Sequence, residues 1–192
     1  TVEPTDTPAP TQTPKAVGAI VAHFRSEGGS SALYTTDIDY GEEQRLTPLG
    51  HDVIFYDWSP DGTKIVYQAY RGVENETYVI NWNGVGEPQK LLSDSNNGYS
   101  PVWSPNGKKI AYFSTKGHWA IFTMNADATG KKAITGNTVS VSVASWSPDG
   151  TKIAYNPMPN TMSPSFIACV NVDGSNYIEL TTDDSGWGDY DP

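Results

Sequence analysis

The chain has 192 residues, 37% of them hydrophobic, which is enough for one real core and too little for two large ones. Twelve Lys plus Arg stand against 22 Asp plus Glu, a formal charge of -10 that opposes a phosphate backbone or an anionic bilayer, so no nucleic-acid partner is expected. No apolar run approaches the ~20 residues of a membrane span, and no basic start followed by an apolar stretch marks a signal peptide, so membrane insertion is not expected and any export signal would have been removed.

Residues 1–17 alternate Thr and Pro with almost nothing that could pack. Such a stretch cannot bury enough apolar surface to offset its ordering entropy, and its prolines favour an extended, semi-rigid spacer. It reads as a flexible linker, although an ordinary disordered tail has the same composition. It resembles the Thr/Pro linkers of secreted, multimodular bacterial surface proteins and polysaccharide-degrading systems. That resemblance implies an extracellular or cell-surface module within a larger secreted protein.

From residue 18 to 192 the chain repeats one unit four times. The segments Trp58-Ser59-Pro60-Asp61-Gly62, Trp103-Ser104-Pro105-Asn106-Gly107 and Trp146-Ser147-Pro148-Asp149-Gly150 are spaced 45 and 43 residues apart. That period, about 40 to 45 residues, fits a four-stranded propeller blade. After each motif come a β-rich run (Ile65-Val66-Tyr67, Ile110-Ala111-Tyr112, Ile153-Ala154-Tyr155), a second run ending at Asn81, Asn125 or Asn171, and a short third run carrying Leu91, Ile134 or Leu180. A copy without the tryptophan motif precedes them, with Ala19 to Ala22, Leu33 to Asp39 and Gln44 to Thr47 in the same roles. The motif predicts a hairpin turn in which Pro presets φ, Asp or Asn stabilises the next position, and Gly takes positive φ. Its Trp ends a strand and supplies packing bulk, so Trp58, Trp103 and Trp146 are expected to be structural rather than ligand contacts.

These repeats resemble the WD-like, TolB-type propeller repeat, found also in the propeller domains of tricorn-type and prolyl-oligopeptidase-type peptidases. The resemblance covers residues 18–192 and implies an all-β propeller of four WD-like blades, each of four antiparallel strands. The motif is specific for fold and silent on function. By the family's strand order the array starts with the second strand of a blade and ends with a first strand, since residues 188–192 align with Asn97-Gly98-Tyr99-Ser100-Pro101. Two arrangements follow. Residues 186–192 pair beside Ala19 to Phe24 and close a four-bladed ring, or the chain is a fragment of a larger propeller whose open edges invite pairing with a second copy.

Antiparallel hairpins leave a blade from alternate ends, which sorts the loops onto two faces. Trp82 occupies a slot held elsewhere by Ile38, Ala126 and Val172 and is expected to fill core. Trp119 occupies one held by Ser31, Asn75 and Ser165, all polar, so its ring is expected at the surface or folded over its own hairpin. Trp187 aligns with Asn96 in a connection on that same face, and Tyr99 and Tyr190 follow such connections. The candidate ligand-binding face is therefore Tyr70, Arg71, Tyr99, His118, Trp119 and Trp187. Aromatics of this kind suit a protein contact or sugar stacking.

Catalytic patterns are not found. Gly28-Gly29-Ser30-Ser31-Ala32 lacks the last glycine of a nucleophile elbow, and His23, His51 and His118 lack zinc-ligand spacing. The calcium-loop echo at Asn125 to Gly130 has Gly136 where a bidentate Glu belongs. Cys169, the single cysteine, lies in an apolar run and reads as a small hydrophobe. The expectation is thus a non-enzymatic recognition module with no metal or cofactor, taking a protein or peptide partner. A polysaccharide ligand, or service as the accessory propeller of a larger hydrolase, is the alternative.

Overall fold

The computed structural model describes residues 19–72, 74–93, 97–115, 119–136, 141–157 and 166–181. The segment read as a linker, together with His118, Trp187 and the closing segment 186–192, lies outside the described residues.

Four antiparallel sheets follow one another in chain order. The first holds β1 (Ile20–Glu27), β2 (Ser30–Asp37) and β3 (Glu42–Arg45). The second holds β4 (Asp52–Trp58), β5 (Lys64–Arg71), β6 (Glu74–Asn81) and β7 (Gln89–Ser93). The third holds β8 (Asn97–Trp103), β9 (Lys109–Ser114), β10 (Ala120–Asn125) and β11 (Lys132–Ala133). The fourth holds β12 (Val141–Trp146), β13 (Lys152–Pro157), β14 (Ala168–Asn171) and β15 (Ile178–Glu179). Each is a meander in sequence order, so every sheet is one blade, and among the described residues the first blade has three strands where the others have four.

The repeated turn explains why these strands form. Ser59 N–H donates to Lys64 O at 2.9 Å, Gly62 N–H donates to Ser59 O at 2.8 Å, and Lys64 N–H donates to Ser59 Oγ at 2.9 Å. Thr63 N–H donates to Asp61 Oδ1 at 3.0 Å. Ser104 to Lys109 and Ser147 to Lys152 repeat these bonds, and Gly62, Gly107 and Gly150 have φ of 68°, 69° and 69°. Positive φ is what a Cβ disfavours, which accounts for glycine at the fifth place of all three motifs.

The cores lie between blades. Val53, Ile65, Tyr67, Ala69, Tyr78 and Ile80 of the second blade pack with Leu33 and Leu46 of the first. Val66, Val79, Leu91 and Leu92 pack with Trp103, Ile110, Tyr112 and Met124. Phe113, Ile121 and Ile134 pack with Ile153, Tyr155, Ala168 and Val170. The second strands of blades two to four are therefore apolar on both faces. The first strands pack on the preceding blade through β4, β8 and β12, with polar bonds across the seams. Trp103 N–H donates to Asp57 Oδ2 at 2.7 Å, and Tyr56 Oη donates to Ala22 O at 2.7 Å.

Packing runs from first blade to second, second to third and third to fourth, and among the described residues no comparable packing returns from the fourth to the first. The segment 186–192, on which the choice between the two arrangements turns, lies outside the described residues.

Candidate functional site

The registers sort the connections as expected. The Ser-Pro-Asp/Asn-Gly turns share one end of the blades with the turns after β2, β6, β10 and β14, because Trp82, Ala126 and Val172 donate backbone N–H bonds to Thr63, Lys108 and Thr151. The hairpins after β1 and β5 and the connections between blades occupy the other end, the loop face.

On the loop face of the third blade Tyr99 and Trp119 come together. Their ring centroids lie 6.5 Å apart with an interplanar angle of 27°, and Trp119 remains 39% exposed. Tyr99 is half-buried against the core between the third and fourth blades. Trp119 thus stacks on a first-strand residue of its blade. Sequence spacing placed it at the surface because its repeat partners are polar. The stack itself follows from the irregular pairing of β8 with β9 around Tyr99.

Tyr70 and Arg71 end β5, opposite Asn75 and Glu74. Tyr70 is 41% exposed. Gln68, buried two residues earlier, donates to Asn75 Oδ1 at 3.1 Å and accepts from Ser100 N–H at 3.0 Å. The blade-two hairpin is therefore tied to the strand that carries Tyr99.

Beneath Arg71 lies a polar cluster that sequence reasoning missed. The buried Glu76 carboxylate meets Lys90 Nζ at 2.5 Å, Arg71 Nη1 at 3.5 Å and the Tyr78 hydroxyl. Burial alone would raise the Glu76 carboxyl, but Lys90, Tyr78 and Arg71 hold it below its usual range. His51, also buried, pairs its Nδ1 with Tyr67 Oη at 3.2 Å and packs its ring 4.8 Å from that of Tyr78. Burial, assisted by the Arg71 charge, lowers the His51 pKa. His51 also lines a cavity of about 190 Å³ with Glu27, Arg45 and Leu49 at the seam of the first two blades. Apart from Glu76 and Tyr78, which share β6, these partners are separated by 14 or more residues or belong to different strands, so no local motif announces the cluster.

The opposite face carries a second concavity. Ile20, Trp58, Pro60 and Trp82 line a cleft of about 460 Å³. Trp103 is buried, whereas Trp58 and Trp146 are each half-buried against a core between blades. Trp82 packs against the core between the first and second blades, as its slot predicts. A usable signal was present: the first repeat alone lacks the tryptophan motif.

Asn125 to Gly130 is closed by its own side chains, with Thr129 N–H donating to Asp127 Oδ1 at 3.0 Å and Asn125 Nδ2 donating to Thr129 Oγ1 at 2.9 Å. Among the described residues no cluster of three or more His, Cys, Asp or Glu is placed to hold a metal.

Comparison with known proteins places this geometry. TolB from Acinetobacter baumannii superposes with a TM-score of 0.70 at 22% identity, over 84% of this chain and 40% of that one. A putative TolB from Agrobacterium tumefaciens gives 0.73 at 23% identity, over 85% and 61%. An oligogalacturonate lyase in complex with manganese gives 0.66 at 16% identity, over 83% and 50%. The chain therefore spans about 40 to 61% of the length of these structures, and the likeness is one of fold. Among curated proteins none matches it. The TolB beta propeller domain matches residues 3–190, nearly the whole sequence, and the chain belongs to the TolB β-propeller family.

Proposed function

We propose that the chain is a non-catalytic recognition module, displayed outside the cell as part of a larger protein, that binds a protein or peptide partner through its loop face. The observation that carries this reading is the Tyr99–Trp119 stack: a tryptophan held flat by a half-buried tyrosine, yet 39% exposed, at a position that other repeats fill with polar residues. Trp and Tyr held rigidly at a surface supply large contact area at low entropic cost, and Trp, Tyr and Arg are the residues enriched at binding hot spots. Arg71, about half exposed and shared with Glu76, adds a directed donor on the neighbouring blade. TolB-type propeller membership is compatible with interaction or scaffold service.

A polysaccharide is the second reading, favoured by the flat exposed indole, which suits a sugar ring as well as a side chain. Two assays separate them. Immobilised chain is used to capture cell-envelope proteins, and intact chain is run through gels containing plant and bacterial wall polysaccharides, each beside Trp119→Ala. Capture lost on Trp119→Ala with unretarded migration supports a protein partner. Retardation abolished by the same substitution supports the carbohydrate reading, and indifference of both assays to Trp119→Ala contradicts the loop-face site.

A further inference from the structure

The cavity of about 190 Å³ at the seam of the first two blades is lined by donors that the fold leaves unmatched. Glu27 and Ser30 of the β1–β2 hairpin meet Arg45 of β3 and His51 of the connection to β4 around it. Arg45 Nη1 meets Glu27 Oε2 at 3.2 Å and Arg45 Nη2 donates to Pro48 O at 3.5 Å, but Arg45 Nε is buried with no partner. Glu27 has nothing left to offer it, because its Oε1 already accepts from the Tyr34 hydroxyl. Buried donors are nearly always matched, and a bound group is one explanation of an exception.

His51 supplies a second such donor. It is 6% exposed, and the fully buried Tyr67 hydroxyl, 3.2 Å from its Nδ1, has no other partner among the described residues. If Nδ1 carried the imidazole proton, that hydroxyl would have nothing to donate to. Tyr67 therefore donates to Nδ1, and the ring, kept neutral by burial, carries its proton on Nε2. Nε2 has no bond among the described residues. The charges around His51 and the cavity are three cations, Arg45, Arg71 and Lys90, against two carboxylates, Glu76 and Glu27, a balance of one positive charge. Leu49, which also lines the cavity, is 82% exposed and offers apolar contact beside the donors.

We propose that this cavity binds a carboxylate on a short apolar stem, its oxygens accepting from His51 Nε2 and the Arg45 guanidinium and its stem lying on Leu49. A carboxylate matches two donors and one positive charge, and guanidinium–carboxylate bonds are the stronger kind. A phosphate dianion would exceed that charge and face Glu27, and a neutral amide would bring a donor to a site already rich in donors. The volume admits one residue-sized group rather than a length of chain. The carboxylate comes either from a free small acid or from an acidic residue of a peptide partner. The second source rests on the loop-face reading above, since the β1–β2 hairpin and the connections between blades belong to that face; the pocket itself does not.

The test is NMR of the ring nitrogens of the three histidines during titration of the 192-residue chain with sodium propionate, beside propionamide and sodium chloride. Two variants run in parallel, with circular dichroism confirming their sheets: Arg45→Lys, which keeps the charge and loses Nε, and Leu49→Asp, which sets a repelling carboxylate at an exposed position. The expected result is a saturable shift of His51 Nε2 with propionate alone, His23 staying still, and affinity about tenfold weaker in each variant. A His51 signal that ignores propionate, or follows propionamide equally, overturns the proposal, as does affinity undiminished in both variants. An acetylated Gly-Glu-Gly amide beside its Gln counterpart then separates the sources. Tighter binding of the Glu peptide than of propionate assigns the carboxylate to a peptide, and weaker or equal binding assigns it to a free acid. Loop-face capture that ignores Trp119→Ala while the propionate shift persists removes the loop-face reading alone, and the reverse pattern removes the pocket alone.

Discussion

The first blade and the three that follow share a backbone pattern and differ in what covers them. In blades two to four the second strand sits between a first strand and a third, with apolar residues on both faces and a tryptophan-bearing turn at its start. In the first blade the second strand is the edge among the described residues, and its far face holds His23, Arg25, Glu27, Tyr34, Glu43 and Arg45, where the others are mostly aliphatic and aromatic. Arg25 and His23 meet Glu43, Arg45 meets Glu27, and the Arg25 guanidinium lies 5.2 Å from the Tyr34 ring centroid. That face carries exposed Val21, whereas Phe24, on the other side of β1, packs edge-on against Tyr56 of the second blade. One sequence unit therefore serves as core or as end according to whether a neighbour covers it.

The largest expected contrast is between equivalent tryptophans. Trp103→Ala, which empties a buried slot, should cost about 3–5 kcal/mol, whereas Trp58→Ala, half-buried beside the cleft, should cost about half as much. Urea midpoints measured on both variants give the comparison, and equal losses would mean that Trp58 is covered after all. Next comes the pair Ile153→Ala and Val21→Ala. The buried isoleucine should cost about 2–5 kcal/mol, and the exposed valine should stay within about 0.5 kcal/mol in dilute solution, read by thermal melts.

Smaller effects follow from titration. The His51 pKa lies below its ordinary 6.5 because burial disfavours the cation. The unfolded chain then binds the proton more readily, so stability is full above pH 6.5 and declines as pH falls below it. Melting midpoints should drop on acidification through that value, and His51→Gln should flatten the slope. Smallest is the acid limb of the motif turns. The Ser59 hydroxyl, with the Thr63 N–H and hydroxyl, holds Asp61 at about 2 against an ordinary 3.8, and Ser147 and Thr151 do the same for Asp149. That contribution is complete above pH 3.8 and is lost as pH falls toward 2. Asp61→Asn should remove part of the acid dependence in this window while keeping the turn, since Asn106 already accepts the Lys108 N–H at 3.0 Å.

Repeated residues made the fold legible. Three copies of one turn set the period, the strand ends and the inner position of each Trp, and the polar partners of the Trp119 slot marked it as a surface residue. The chain-distant arrangements were not legible. The Glu76–Lys90–Arg71 cluster joins three strands, the Trp58–Trp82 cleft lies between two blades, and the polar face of the first blade reads in sequence as ordinary alternation. Each depends on which blade lies alongside, and a local pattern carries no such information.

The most direct test of this contrast is hydrogen exchange on the 192-residue chain, comparing the β1 amides that do not bond to β2 with their counterparts in β5, β9 and β13. The β1 amides should exchange fast while the others stay protected. Protection of β1 equal to that of β5 would contradict an edge position for β1.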